Sequence, residues 1–367
     1  MPVPADTPGR CWRPWPGVEP VAAPLALFNG SYVGARPTGI GVVARDLAAS
    51  LDPALVPAVW PTGLSPDAGS RGHARRLQWT QRTLPGLWRR SGAALLLSPL
   101  PEAPLLAGVP SVVLAHDLLP LRYPRLTPLL AYHLAYVPLV LHRARHVLCN
   151  SEATAREVHG RLGVPLRRLS VLRLGFAAGS LRPLGLARGP ELLVLGRHDP
   201  HKNLARLLRA FAQAAAADGE LRLHLVGPHD RRYTPGLQRL ARELGIADRC
   251  RWTAWVSDDD RLQLLNRALG LVMPSLWEGF GLPALEAMAC GTPVLASTAG
   301  ALPEVVGDAA LPLDPRDVGQ MASALRRLRT DPGLAVALAA AGPARAAAFS
   351  WSRSARDLEG RLRELAR

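Results

Sequence analysis

Short apolar runs alternate with stretches of helical periodicity along most of the chain. Five runs precede a turn or a helix in the first half: PLALFN (24–29), AALLLS (93–98), SVVLAH (111–116), HVLCNS (146–151) and SVLRLG (170–175). Such runs, separated by helices, are typical of the buried strands of a parallel sheet. The first half of the chain is therefore predicted to form an α/β domain.

The same pattern begins again after residues 177–190, which are rich in Gly, Pro and Ala and are interpreted as an inter-domain linker. The second series of predicted strands is ELLVLG (191–196), LRLHLVG (221–227), CRWTAWV (250–256), ALGLVMPS (268–275) and TPVLAS (292–297). Two doubly wound sheets in tandem would place a cleft between their carboxyl edges. A break at Gly342 and Pro343 is expected to divide the last alanine-rich helix.

These patterns divide the 367 residues into four parts. Residues 1–23 are expected to be a loose leader, because they are rich in proline and have no apolar core of the kind found in a signal peptide. Residues 24–180 and 181–345 are predicted to be the two domains, each of a size that suits one core. Residues 346–367 are expected to form a final helix.

The net charge of +15 favours an anionic partner, such as a phosphorylated substrate, a membrane surface or nucleic acid.

Membrane and cysteine patterns narrow the class of protein further. The best candidate for a membrane span, Leu126–Leu141, is short and contains two prolines, so a buried helix is expected instead. The four cysteines are far apart and suit a reduced, cytoplasmic protein without structural zinc; they are Cys11, Cys149, Cys250 and Cys290.

Residues 71–90 form the densest basic cluster, with six arginines, two tryptophans and no acidic residue. Arginine and tryptophan together suit an anionic lipid interface. One interpretation is therefore peripheral contact with the inner face of a membrane through 71–90. The alternative is a solvated helical face whose tryptophans turn inward.

The only lysine of the chain, Lys202, follows a predicted strand. Residues 191–211 read as strand, loop and helix, and a loop that faces a helix N-terminus favours a phosphate through backbone N–H groups and the helix dipole. In this loop Arg197 would add a planar guanidinium that can bind two phosphate oxygens at once, and Lys202 would add a compact point charge. Chance survival of one lysine is the alternative.

Two glutamates lie in the most informative block, PSLWEGFGLPALEAMACGTPVLAS (274–297). The glycines at 279–281 predict a loop, and Pro283 suits the first turn of a helix. Glu278 would then lie in the loop and Glu286 about one turn into the helix, both near the same cleft. A carboxylate in such a site can accept hydrogen bonds from the vicinal hydroxyls of a ribose or a hexose.

This block resembles the E-x7-E motif of retaining, nucleotide-sugar-dependent glycosyltransferases of family 4, which have the GT-B fold. Other segments match that family in the expected order: PTGIGVVARDLAASL (37–51), VVLAHDLLPLRYP (112–124), GRHDPHKN (196–203), WVSDDDRLQLLNRA (255–268) and FSWSRSARDLEGRL (349–362). The resemblance implies two Rossmann-like domains that face a central cleft, the first for the acceptor and the second for the nucleotide sugar. It also implies that the final helix packs back on the first domain.

The resemblance assigns roles residue by residue. Arg197 and Lys202 would bind the donor diphosphate and neutralise the charge that develops as the nucleotide leaves. Glu286 would hold the ribose hydroxyls, Glu278 would contact the donor sugar, and His116 would contact the transferred sugar through its ring or backbone. The other predicted donor-binding residues are Gly39, Gly41, Val256, Gly279, Phe280, Gly281 and Leu282.

The implied reaction is retaining transfer of a hexose, of mannose or glucose type, from a nucleoside diphosphate sugar to a hydroxyl acceptor in glycan biosynthesis. Front-face substitution is the expected route, without a required cofactor or metal. GDP-mannose is the first expectation for the donor, because His116-Asp117 with the following LLPLRYP is similar to mannosyltransferase-like members. UDP-glucose is the second. The acceptor stays open, and a lipid-linked one is among the alternatives.

Several rival interpretations fit the residues less well. Gly39–Ala44 satisfies a dinucleotide pattern but lacks the acidic residue expected about 20 positions later. Asp258–Asp260 suits a helix capped by Ser257 better than a D-x-D metal site. A sugar-nucleotide epimerase of the same fold and a noncatalytic anion-binding protein are the remaining alternatives. Nucleic acid is not the expected partner.

Overall fold

The protein contains two parallel sheets of six strands each, in a computed structural model that describes residues 23–33, 39–64, 69–124, 128–176 and 179–367. The first sheet has the order β2-β1-β3-β4-β5-β6, with β1 (Ala26–Asn29), β2 (Ala58–Val59), β3 (Leu95–Ser98), β4 (Ser111–Ala115), β5 (His146–Cys149) and β6 (Leu169–Val171). The second has the order β12-β11-β10-β7-β8-β9, with β7 (Glu191–Leu195), β8 (Arg222–Val226), β9 (Cys250–Thr253), β10 (Gly270–Met273), β11 (Val294–Ser297) and β12 (Leu311–Leu313). The predicted α/β fold with two doubly wound sheets is confirmed.

Helices connect the strands of both sheets. In the first half they are α1 (Ile40–Ser50), α2 (Gly69–Arg82), α3 (Leu84–Ser91), α4 (Leu119–Arg122), α5 (Pro128–Ala131), α6 (Val137–Arg143) and α7 (Glu152–Leu162), with a π-helix at Tyr132–Tyr136. In the second half they are α8 (Leu204–Ala215), α9 (Thr234–Glu243), α10 (Asp258–Arg267), α11 (Leu282–Ala289), α12 (Leu302–Val306), α13 (Val318–Thr330), α14 (Pro332–Ala347) and α15 (Trp351–Ala366). Short 3-10 helices lie at Leu166–Arg168, Pro200–Lys202, Ala247–Arg249 and Gly307–Ala309.

The burial of the strands explains which of them the sequence predicted. Every residue of β3, β4, β5, β10 and β11 is buried. A strand covered on both faces needs a continuous apolar run, which is the signal that marked the ten predicted strands. The two that were not predicted, β2 and β12, are short edge strands. Pro312 inside β12 is tolerated there because an edge strand has one unpaired side.

The chain crosses twice between the two domains, at adjacent places. A Cβ on Gly175 would overlap the backbone nitrogen of Trp351, so the first and second crossings are in close contact. After the second crossing α15 packs against α1, and Ser354 Oγ donates to the carbonyl of Arg173 at 2.7 Å. The linker is fixed to the second domain by Arg188, whose guanidinium donates to four backbone carbonyls, those of Leu265, Asn266, Ala268 and Gly291.

Two helix predictions are wrong. Pro343 does not divide the alanine-rich helix, because α14 continues through it while the adjacent Gly342 packs closely on Met288 of α11. The apolar segment that ends at Leu141 is not one buried helix: a π-helix interrupts it, and Leu134 and Leu139 are exposed.

By length and composition alone, the stretch Pro332–Ala366 is apolar enough to cross a membrane. It contains α14 and α15, which pack on α11 and α1 respectively. Residues 1–22 of the predicted leader lie outside the described part of the chain.

Candidate active site

Lys202 and Glu278 meet at the carboxyl edge of the second sheet. Lys202 follows β7, Glu278 follows β10, and these two strands are neighbours. The ammonium Nζ donates to Glu278 Oε1 at 2.7 Å, and Ser275 Oγ donates to the same oxygen at 2.6 Å. Burial alone would raise the pKa of Glu278, but the charge of Lys202 and the two hydrogen bonds outweigh it, so the pKa lies below its ordinary value. The site therefore holds an ionised carboxylate beside a cation.

Asn203 fixes the loop that carries Lys202. It has φ 61°, the one positive φ among the described non-glycine residues, and it joins the 3-10 helix Pro200–Lys202 to α8. Its side-chain amide donates to the carbonyls of Pro274 at 2.9 Å and Pro315 at 2.6 Å. These bonds tie together the loops after β7, β10 and β12. An amide that binds two carbonyls explains why the left-handed conformation is kept without a glycine.

Arg197 lies in the same loop as Lys202, but its side chain extends into solvent. Its side chain is 66% exposed, and Nε lies 3.2 Å from Asp199 Oδ2. The loop itself bends at Gly196, which has φ 132°. The sequence predicted that Arg197 and Lys202 together bind the diphosphate. The structure places Arg197 in the same loop, where its guanidinium pairs with Asp199 and is mostly exposed to solvent.

The first domain approaches this loop through backbone atoms. A Cβ on Gly279 would overlap the carbonyl oxygen of His116 and lie 2.9 Å from Asp117 Cβ. Ser151 Oγ at the N-terminus of α7 donates to the carbonyl of Gly279 at 2.9 Å. Because only a residue without Cβ fits between the domains here, Gly279 permits the contact that closes the cleft.

Of the two residues after β4, His116 is buried and Asp117 is half-buried at this contact. His116 Nε2 donates to the carbonyl of Pro99 at 2.7 Å, and burial lowers the pKa of His116 to about 4, so the ring is neutral near pH 7. Burial raises the pKa of Asp117 to about 6, with Glu278 and Glu157 acting in the same direction. Asp117 accepts from the backbone of Leu119 at 2.9 Å. The sequence indicated the His-Asp pair but did not single out Asp117 as a site residue.

Aromatic and charged side chains extend the contact between the domains. The guanidinium of Arg122 lies 3.8 Å from the ring centroid of Trp277, next to Glu278. The carboxylate of Glu304, on α12, accepts from the backbone nitrogens of Glu152 and Ala153 at 2.8 Å each. A carboxylate of the second domain therefore caps α7 of the first, where the helix dipole favours a negative charge.

Glu286 lies on α11 as the sequence predicted. Pro283 occupies the first turn, Gly281 precedes the helix with φ 112°, and Gly291 follows it with φ 66°. Glu286 Oε1 accepts from Arg261 Nη1 at 2.8 Å. Burial raises the pKa of Glu286, and Arg261 opposes that effect. Sequence reasoning missed Arg261, because a charged residue in the first turns of α10 resembles an ordinary solvated one.

The remaining predicted donor-binding residues lie in or next to α1, α10 and α11. Phe280 is buried, and its ring packs edge to face on Phe349 at 5.8 Å. Leu282 is the first residue of α11, and Val256 lies between β9 and α10, half-buried. Near the first domain, Gly39 precedes α1 with φ 49° and Gly41 is buried inside it. Residues 34–38 of that glycine loop lie outside the described part. The donor roles of all these residues stay predictions.

The capping of α10 confirms one structural prediction. Ser257 Oγ accepts from the backbone nitrogen of Asp260 at 3.0 Å, so this acidic run begins a helix. Within the described ranges, no group of three or more His, Cys, Asp or Glu side chains could hold a metal ion.

The basic cluster 71–90 forms α2 and α3. Trp79 and Trp88 pack against a core that includes Leu27 and Leu84, so both tryptophans turn inward. Arg76 is buried and makes a bidentate pair with Glu102 at 2.8 and 2.9 Å. The other five arginines of the cluster are exposed, namely Arg71, Arg75, Arg82, Arg89 and Arg90. These positions favour the solvated-face interpretation.

Two protein-family models match the two halves of the chain. The family model described as Glycosyl transferases group 1 matches residues 184–345, and the model described as Glycosyltransferase Family 4 matches residues 38–177. The chain is 34% identical over 238 residues to the MMP alpha-(1->4)-mannosyltransferase of Mycolicibacterium hassiacum, an alignment that covers 61% of this chain and 56% of the relative. It is 35% identical over 240 residues to the D-inositol 3-phosphate glycosyltransferase of Actinosynnema mirum, covering 60% and 57%. The chain thus spans a little over half the length of these curated relatives.

A solved structure covers the chain more fully. The Anabaena protein Alr3699/HepE, in complex with UDP and glucose, has a TM-score of 0.72 and 20% sequence identity, over 92% of this chain and 99% of that one. At this identity the likeness concerns the fold. The two family models between them match both domains, and the tandem sheets agree with this neighbour; the chain belongs to the glycosyltransferases of family 4 and has the GT-B fold.

Proposed function

We propose that the protein is a retaining glycosyltransferase that moves a hexose from a nucleoside diphosphate sugar to a hydroxyl acceptor. The observation that carries this proposal is the ion pair of Lys202 with Glu278 at the carboxyl edge of the second sheet, with Glu286 on the helix that follows the same loop. A cation for the diphosphate, a carboxylate for the sugar and a carboxylate for the ribose would then serve one donor site. The domain contact at Gly279 brings the acceptor-binding domain to the same place.

The chemistry assigned to this site is electrostatic. Lys202 and Arg197 stabilise the charge that develops on the departing phosphate, because a fixed cation in a partly buried site costs no reorganisation during the reaction. Glu278 is assigned to positioning of the sugar, a role that suits a carboxylate whose Oε1 is held by both Lys202 and Ser275. The departing phosphate oxygen accepts the proton of the acceptor hydroxyl on the same face. Retention of configuration follows from this front-face route.

The donor hexose is proposed to be mannose, carried by GDP. The name of the Mycolicibacterium relative, a mannosyltransferase, supports the sugar. UDP-glucose is the second candidate, supported by the UDP and glucose bound to the Anabaena neighbour. The nucleotide base, guanine or uracil, is the part of this proposal to test first.

The acceptor is proposed to be a sugar or polyol hydroxyl of a glycoconjugate precursor. If that precursor is lipid-linked, the five exposed arginines of 71–90 are the part of the cluster available for an anionic membrane. Changing Arg75, Arg89 and Arg90 to Gln should then weaken co-sedimentation with vesicles rich in phosphatidylglycerol. Binding that is unchanged would remove the membrane contact through 71–90. Arg76 is unsuitable for this test, because its charge compensates the buried Glu102.

The test of the function is product analysis. The purified protein is incubated with GDP-mannose or UDP-glucose and a set of sugar and polyol acceptors, and nucleotide release and the anomeric configuration of the product are followed by NMR. Acceptor-dependent release with a retained α-configuration would support the proposal. Conversion of the donor sugar without any acceptor would favour the epimerase. An inverted product or no turnover with any nucleotide sugar would contradict the proposal.

A further inference from the structure

Three charged side chains, Asp258, Arg261 and Glu286, form a row that ends at the predicted ribose contact, Glu286. Arg261 donates from Nη1 to Glu286 Oε1 at 2.8 Å and from Nη2 to Asp258 Oδ1 at 3.1 Å. Asp258 is largely exposed, whereas the side chain of Glu286 keeps only 18% of its surface accessible. The arginine therefore lies between an outer carboxylate and an inner, mostly buried one, and it belongs to neither the nucleotide nor the sugar contacts predicted from the sequence.

This row makes the two oxygens of Glu286 unequal. Oε1 is occupied by Arg261, while Oε2 receives no hydrogen bond from any residue that the structure describes. Oε2 keeps two lone pairs and Oε1 keeps one, which is enough for two donor groups of a ligand. Burial favours protonation of Glu286, and the guanidinium counteracts it. Arg261 thus keeps Glu286 as a pure acceptor with a fixed orientation.

We infer that Arg261 is a positioning residue that holds Glu286 for the vicinal hydroxyls of a ribose, so that the cleft accepts ribonucleoside diphosphates and rejects their 2′-deoxy counterparts. The inference rests on the proposed function, because it takes Glu286 as the ribose contact. A 2′-deoxy ligand would leave one acceptor position of a mostly buried carboxylate without a donor. Sites built to bind a hydroxyl reject the analogue that lacks it for this reason. Donors based on dTDP are excluded on the same ground.

The chain offers a matched control on the same helix. Arg267 also lies on α10, but its side chain is exposed. Arg261→Met and Arg267→Met remove the same charge and keep a similar apolar stem. Arg261→Lys keeps the charge but loses the planar fork that binds Glu286 and Asp258 together. Glu286→Gln removes the negative charge and replaces one of the two acceptor oxygens with an NH2 donor.

The experiment is isothermal titration calorimetry of the full chain with GDP, UDP and their 2′-deoxy forms. The wild type should prefer the ribose form of the bound nucleotide by about 10- to 100-fold, the range of one hydrogen bond to a charged group. Arg261→Met should lower this preference to less than about 3-fold by weakening only the ribose form. Arg261→Lys should be intermediate, and Arg267→Met should match the wild type.

A pH series separates positioning from simple packing. Without the guanidinium, the pKa of Glu286 rises further, so on lowering the pH ribonucleotide binding by Arg261→Met should weaken at a higher pH than wild-type binding does. Retention of the ribose preference in Arg261→Met, with its loss in Glu286→Gln, would overturn the inference and leave the proposed function in place. Equal loss of both ribose and deoxyribose forms would also overturn it. If no nucleotide binds the wild type, the proposed function fails and the inference with it.

Discussion

The two sides of the cleft are built in different ways. On the second domain, side chains tie the strand ends together: Asn203 joins three loops, and Lys202 joins two. On the first domain, the contact with the second domain combines the backbone of His116 and the half-buried Asp117 with single side-chain contacts from Ser151 and Arg122. A network of side-chain bonds fixes a binding geometry before a ligand arrives, whereas a backbone contact across a glycine fixes how closely the domains approach. We expect the second domain to determine donor binding and the first to determine closure.

Removal of the lysine should have the largest effect. Lys202→Ala deletes the fixed cation and leaves Glu278 buried without its partner. By analogy with the loss of one stabilising donor at a developing charge, kcat/KM should fall by about 100- to 1000-fold. Nucleotide release, measured with the donor that the product analysis identifies, checks this. Arg209→Ala, on the exposed side of α8, is the control. A comparable loss in both variants would contradict a specific role for Lys202.

Asp117 should carry a stability cost that depends on pH. Its folded pKa, about 6, lies above the ordinary value of 3.8, so its contribution to stability is full below pH 4 and is lost as the pH rises through 6. Asp117→Asn should therefore be more stable than the wild type by up to about 3 kcal/mol at pH 7. Near pH 4 the two should be equal.

Urea unfolding at several pH values between 4 and 7.5 measures this difference. His116 titrates in the opposite direction, since its folded pKa of about 4 lies below its ordinary value and its contribution is lost as the pH falls. Comparing the variant with the wild type at each pH cancels that contribution. A difference that does not grow with pH would contradict the raised pKa of Asp117.

Closure should depend on the absence of one Cβ. Gly279→Ala would collide with the carbonyl of His116, and relief of the collision should cost about 1–3 kcal/mol or separate the domains. Small-angle scattering should show a larger radius of gyration, and turnover should fall more than nucleotide affinity. Gly236→Ala on α9, where a Cβ meets no atom within 4 Å, is the control. An unchanged radius with full activity would show that the closed contact is dispensable.

The carboxylate cap of α7 should have the smallest effect. Glu304→Ala removes the acceptor for the backbone nitrogens of Glu152 and Ala153. Loss of a helix cap costs about 1 kcal/mol, and here the cost falls on the closed arrangement because the cap comes from the other domain. KM for the acceptor should rise a few-fold with little change in nucleotide affinity. A lower nucleotide affinity with unchanged acceptor KM would reverse the assignment of the two domains.

The same contrast explains what the sequence could predict. The buried strands have continuous apolar runs. The loop and helix around Glu278 and Glu286 have glycines and a proline at positions that the turn and the first helical turn require. Local sequence was therefore sufficient to predict both the strands and this loop and helix. The edge strands β2 and β12 could not be found, since β2 has only two residues and Pro312 interrupts the apolar residues of β12. Pro343 misled because a tertiary contact of Gly342 with Met288 stabilises the continuous helix.

Pairs that form only in three dimensions could not be predicted either. Arg76 looked like a solvated charge, but it compensates Glu102, which lies 26 residues further along the chain. Arg261 and Glu286 lie 25 residues apart and meet because α10 and α11 are brought together by the sheet. Asp117 was visible as part of a His-Asp pair, but its close approach to Gly279 of the second domain was not.

A thermal-shift series with GDP, UDP, ADP and dTDP on the wild type, Lys202→Ala, Glu286→Ala and Arg209→Ala tests the central claim most directly. A ligand that binds only the folded protein raises its stability, by about 2.7 kcal/mol at 100 times Kd. The account predicts stabilisation by one ribonucleoside diphosphate, retained in Arg209→Ala and lost in the variants at Lys202 and Glu286. No stabilisation by any nucleotide, or stabilisation that survives both of these substitutions, would contradict it.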